Sequence, residues 1–122
     1  MRWILAFMLL AHGVAHLPGF FVAWELASFP ELPFRTTVFG TVDIGVIGTR
    51  LVGVVWLMSS LVFAALAATI ALRIEFPSAV LPLALGISAA LCLSAWPKAS
   101  YGFITNAAIA AALVAGERYG LI

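Results

Sequence analysis

The chain predicts an all-α polytopic membrane protein: four transmembrane helices in an antiparallel bundle, with a long first loop forming a cap. Three observations carry this. First, 65% of the 122 residues are hydrophobic and only 9% are charged, with a mean hydropathy of +1.19; a soluble domain is nearer half apolar and a quarter charged. Six basic and five acidic side chains cannot give so much apolar sequence a water-facing surface, so the excess must face lipid. Second, the apolar residues fall into four stretches, each near the ~20 residues that cross ~30 Å of hydrocarbon. Third, charges, prolines and aromatic residues mark the breaks between them. The whole chain, 1–122, reads as a single transmembrane domain.

Span one covers about residues 3–24. It reads as a true span, not a signal peptide. Its positive region is Arg2 plus the amino terminus, its apolar run exceeds a signal core, and no clear small-x-small cleavage site follows. The connection over 25–47 holds Glu25, Glu31, Arg35, Asp43 and two prolines, then runs into FGTVDIGVIGTR. That run is too apolar for a solvated loop and predicts a short interfacial helix or a partly re-entrant segment. Gly40, Gly45 and Gly48 allow tight turns or close approach there. The loop is either a lid over helix ends or a gate over a cavity opening on that face.

Span two covers about 48–72. Arg73, Glu75 and Pro77 punctuate the turn into span three, about 78–96. The Trp96-Pro97-Lys98 step leads to span four, about 98–116, because proline ends one helix and suits the first turn of the next. Trp3, Trp24, Trp96, Tyr101 and Tyr119 fall near the expected interfaces, as an aromatic belt does. In lipid, helices associate through small residues. The expected seams are Ser60, Ala64 and Ala68 on span two, Gly86, Ala90 and Ser94 on span three, and Ala107, Ala111 and Ala115 on span four, with Ala108 and Ala112 beside the last. The same stripes would equally serve a homo-oligomer or a membrane-protein partner.

Four spans put both termini on one side, with Arg2, Arg73 and Arg118; the other side has Arg35, Arg50 and Lys98. The positive-inside rule is tied at three each. Arg50 falls inside the second helix and the amino terminus adds a charge, which tips the expectation to cytoplasmic termini in an inner (plasma) membrane. A net charge of +1 points to no acidic partner and no nucleic acid. The single cysteine, Cys92, sits in an apolar run, which rules out an intramolecular disulfide and reads as an inert buried thiol.

The chemistry concentrates in AHGVAHLPGF, residues 11–20, which holds both histidines. His12 lies nine residues into the first helix, ~14 Å deep by the helical rise and close to the midplane; His16 is one turn further on the same face. Asn106, eight residues after Lys98 in the antiparallel fourth span, lies ~12 Å from the far interface. The three polar groups therefore share one level. Pro18 has no amide hydrogen and leaves the Val14 carbonyl without its helical partner, so a bend with Gly19 would open the helix toward the loop. An intramembrane ionisable residue is a functional candidate; the competing reading is an imidazole bonded to Asn106, Thr105 or a backbone carbonyl that holds the bundle together. The candidate ligand-binding set is His12, His16 and Asn106, with Asp43 from the lid and Arg50 from the start of span two.

Two histidines at i and i+4 can share a metal ion, but a site needs more ligands. Glu25 lies on the wrong side of the helix, and only Asp43 is sterically suited to join, so no metal set is assigned. One histidine could be an axial haem ligand; two trans ligands from i and i+4 are not feasible because both point the same way. No serine is paired by motif with the histidines and a carboxylate, and no phosphate loop, filter motif or convincing internal repeat occurs. No catalytic residue is assigned.

Arg2, an apolar run, then His12, Gly13, His16, Leu17, Gly19, Phe20 and Phe21 resemble the first helix of the DoxX-like family of small four-helix bacterial membrane proteins. RLVGVVWL, opening span two, is compatible with that family's Gly-rich second span. The resemblance implies a four-helix bundle and an association with quinone-linked redox chemistry; a lysine is expected where His16 stands. Two functional classes stay open. One is a non-catalytic membrane component, either an accessory subunit or the binder of a lipid-like molecule in a kinked-helix pocket. The other is a redox subunit holding quinone or haem through His12 or His16, with the histidines and Asn106 donating hydrogen bonds to a quinone carbonyl.

Overall fold

The computed structural model describes residues 1–95 and 99–120. It is all-helical apart from one small hairpin. Helix α1 spans Arg2–Ala23, α2 spans Gly45–Leu72, α3 spans Val80–Ser94 and α4 spans Ser100–Arg118. The expected Trp96-Pro97-Lys98 step lies outside the described residues. Among the described residues, two helices, α1 and α2, are long and apolar enough to cross a membrane, by length and composition. Helix α3 has 15 residues, ~22 Å of rise, and is shorter than its expected span. Its first residue follows a turn in which the Val80 amide donates to the Pro77 carbonyl at 3.0 Å, so Ser78 and Ala79 belong to the turn.

The connection between α1 and α2 corrects one expectation. Where a short interfacial helix was one expected form, it contains a small hairpin. Strand β1, Thr37–Val38, pairs antiparallel with β2, Val42–Asp43. The apolar run therefore folds into a hairpin before α2 begins at Gly45, three residues earlier than the sequence indicated. Phe39 (φ 54°) and Gly40 (φ 74°) are both left-handed, as a type I′ turn requires. The Phe39 amide donates to the Ser94 carbonyl at 2.8 Å, tethering the hairpin tip to the end of α3.

Helices α1 and α2 form a close antiparallel pair through three glycines. A Cβ on Gly13 would lie 2.9 Å from the Ser60 carbonyl oxygen; one on Gly19 would lie 2.5 Å from the Trp56 ring; one on Gly53 would lie 2.6 Å from the Ala23 Cβ. The seams read from four-residue spacing are partly wrong in phase. Ser60 is buried and Ala64 half-buried, but Ala68, Gly86, Ala90, Ala107, Ala108 and Ala111 are exposed. The inward faces are instead Leu81, Ala84, Ser88, Leu91 and Cys92 on α3 and Asn106, Ile109 and Gly116 on α4. Spacing reports that small residues share a face. In a helix apolar all round, it does not report which face points inward.

The bundle is layered along its axis. An apolar core of Leu5, Leu9, Phe63, Leu66, Leu81 and Ile109 fills the end nearest the termini. A polar layer of His12, His16, Ser88 and Asn106 follows, all buried. Beyond it lies a cavity, partly covered by the hairpin loop. The outside is the reverse of a soluble protein: Trp3, Phe7, Ile47, Leu51, Leu61, Leu83 and Ile104 are all more than half exposed. Trp3 and Trp24 flank α1, while Tyr101 and Tyr119 lie at the two ends of α4.

Candidate functional site

The i, i+4 spacing on α1 aims both imidazoles at α3 and α4. The His16 Nδ1 lies 2.7 Å from the His12 carbonyl oxygen, one turn back. A carbonyl can only accept, so Nδ1 carries the proton and Nε2 of the neutral ring is an acceptor. The Ser88 hydroxyl lies 2.7 Å from that Nε2 and donates to it. The His12 Nε2 lies 3.0 Å from the Asn106 Oδ1 and 3.1 Å from the Ser88 Oγ. The amide oxygen also only accepts, so His12 carries its proton on Nε2 and shares it between these two oxygens. The Asn106 amide nitrogen donates to Ser88 Oγ at 2.9 Å and reaches Cys92 Sγ only at 4.0 Å.

This arrangement is self-consistent in one sense only. Reversing the Asn106 amide would make Ser88 donate to it, leaving a Ser88 lone pair facing a His16 lone pair at 2.7 Å. The two imidazoles are thus held as opposite tautomers around one hydroxyl. Among the described residues no side-chain nitrogen or oxygen sealed from solvent lacks a partner. Phe63 and Trp56 wall the layer from α2: the Phe63 ring centroid lies 4.9 Å from His12 and the Trp56 centroid 5.2 Å from His16.

The cavity encloses about 360 Å³, within the range of small-molecule sites. Its floor is His12 and His16; Pro18, Gly19 and Val22 of α1 and Val52 and Trp56 of α2 form one wall; Cys92 and Gly102 form the other; Leu32, Pro33, Phe34 and Val38 form the roof. Glu31, Arg35 and Tyr101 also line it, all exposed. Helix α1 continues through Pro18 to Ala23, and Gly19 serves close contact with Trp56. Pro18 therefore lies inside one continuous helix and also lines the cavity, and the Val14 side chain points outward, 57% exposed.

Of the five residues expected to bind a ligand, the structure joins His12, His16 and Asn106. Asp43 and Arg50 stand apart and neither lines the cavity. The Asp43 Oδ1 accepts the Gly45 amide at 2.9 Å and opens α2. The Arg50 guanidinium stacks 5.3 Å from the Trp24 ring centroid, while the Trp24 indole donates to the Arg50 carbonyl at 3.1 Å. Thr105 bonds to the Tyr101 carbonyl and plays no part in the layer. Ser88 is the residue that the sequence reading missed. Depth arithmetic was the available signal: Ser88 lies ten residues into the expected third span, ~15 Å by the helical rise. Among the described residues no group of three or more His, Cys, Asp and Glu side chains is placed to hold a metal ion.

Comparison of the chain with protein-family models, with curated proteins and with solved structures finds no match.

Proposed function

We propose that this is a multi-pass membrane protein, its four helices packed in lipid, that holds a lipid-like molecule in the cavity beneath the hairpin loop. The observation carrying the reading is a roofed, largely apolar cavity with a buried polar floor inside a bundle whose outer surface is apolar. That composition is the usual one for an apolar ligand with a polar end. The reversed polarity supports the membrane part: four buried polar side chains at mid-bundle, and large apolar side chains facing out, suit hydrocarbon. The DoxX-like resemblance of helix one points the same way and is kept as part of the proposal. So is an inner-membrane location with cytoplasmic termini.

The redox alternative draws less support. A quinone carbonyl needs donors, and the donors of His12, His16 and Ser88 are already committed within the layer. The deciding experiment is gentle purification from the native membrane, with an absorption spectrum and organic extraction. A colourless protein retaining a stoichiometric apolar molecule is expected. A Soret band or a stoichiometric quinone, lost in His12→Leu and His16→Leu, would reverse the choice.

A further inference from the structure

We infer that the molecule held in the cavity carries a hydroxyl group, which donates a hydrogen bond to the Nδ1 of His12. The inference rests on the cavity-binding reading above and names the ligand class.

The argument is a count of protons around the floor. Neutral His16 has one N–H, and it goes to the His12 carbonyl. The Ser88 hydroxyl proton goes to His16 Nε2. The His12 N–H is on Nε2, where it faces Asn106 Oδ1 and Ser88 Oγ. One Asn106 N–H goes to Ser88, and its other faces the Cys92 sulfur. His12 and His16 both line the cavity. The one ring nitrogen left over is His12 Nδ1, which bears a lone pair and no proton. It is not among sealed, unpartnered atoms, because none exists in the described residues, although His12 as a whole is only 3% exposed. Its residual exposure belongs to a residue that forms the cavity floor.

A floor with a spare acceptor and no spare donor discriminates by chemistry. A ketone, quinone, ester or ether brings another acceptor, and its oxygen would be buried facing a nitrogen lone pair. An alcohol or phenol brings the missing proton. Specificity of this kind is large where the mismatched partner leaves a buried polar atom unpaired. The Phe63 and Trp56 rings beside the histidines suit the apolar body of such a molecule.

The test uses the full chain in lipid nanodiscs and three probes of matched length: dodecanol, its methyl ether, and the corresponding methyl ketone. Binding is read by quenching or shift of tryptophan fluorescence, with Trp56 as the reporter. The tautomers are read independently by nitrogen-15 NMR of the histidine rings. The expected result is that dodecanol binds roughly tenfold more tightly than the ether and the ketone. His12 should show a bare Nδ1 and His16 a protonated one, and dodecanol should shift the His12 Nδ1 signal alone. Equal binding of the three probes, or preference for the ketone, overturns the hydroxyl inference and leaves the cavity reading standing. A protonated Nδ1 on His12 also overturns it. Binding of none of the three removes the cavity reading itself. The fluorescence comparison is made on the unsubstituted protein, so it does not depend on any variant folding. His12→Phe adds a second arm, in which the alcohol should lose its advantage while ether binding persists.

Discussion

Ser88 offers one hydroxyl to three polar neighbours, and removing it has a calculable effect. Ser88→Ala strands the His16 Nε2 lone pair and one Asn106 N–H in a buried layer. Each such loss costs about 1–3 kcal/mol, so thermal unfolding in detergent should show a loss of about 2–6 kcal/mol. Ser94→Ala is the control: its hydroxyl bonds only to the Leu91 carbonyl of its own helix, and it should change stability by less than about 0.5 kcal/mol. Phe39 provides a gain. A bulky side chain at φ 54° costs about 1–2 kcal/mol, and Asn tolerates that conformation, so Phe39→Asn should raise the unfolding midpoint. No gain would mean that Phe39 contributes packing equal to its strain. The pairing of His12 with Asn106 was readable in advance because depth along a helix follows from residue count. Which hydroxyl joins them was not legible, because the third apolar stretch carries both Ser88 and Ser94 and small-residue spacing does not report depth. Opposite tautomers are invisible to sequence, since they depend on which atoms only accept.

Between elements, glycine matters where a neighbouring backbone is close and not where the face is open. Gly13→Ala would press on the Ser60 carbonyl and force α1 from α2, at about 1–3 kcal/mol. Gly86→Ala meets nothing within 4 Å and should stabilise α3 by about 0.5–1 kcal/mol. Measuring both by the same unfolding assay checks the packing; equal effects would refute it. The helices were legible because long apolar stretches broken by Arg73, Pro77 and similar signals admit few alternatives. Their rotational phase was not, because hydrophobic periodicity vanishes when lipid and core are both apolar. The hairpin was missed because its strands are two residues long, and a two-residue alternation carries no usable period.

At the level of the whole molecule, the test is insertion. The outward Trp3, Phe7, Ile47 and Leu51 predict that the protein stays with the membrane pellet after alkaline carbonate extraction, and four crossings predict that reporters fused to either terminus lie on the same, cytoplasmic, side. Termini on opposite sides would mean that α3 does not cross alone; at ~22 Å it is the helix with least length to spare. Composition made the reversed polarity foreseeable. It could not foresee that the cavity would lie wholly on the loop side of the histidines, because that depends on where the large side chains of α2, α3 and α4 run out.

The polar layer also sets an order of assembly. Its histidines are made first, on α1; the hydroxyl that joins them arrives with α3; the amide that completes it arrives last, on α4. During synthesis, His12 and His16 therefore emerge long before Asn106 exists to accept the proton of His12. A chain that stalls, or fails to seat its last helix, keeps two imidazoles incompletely satisfied, and a finished chain does not. The layer thereby marks completeness from within.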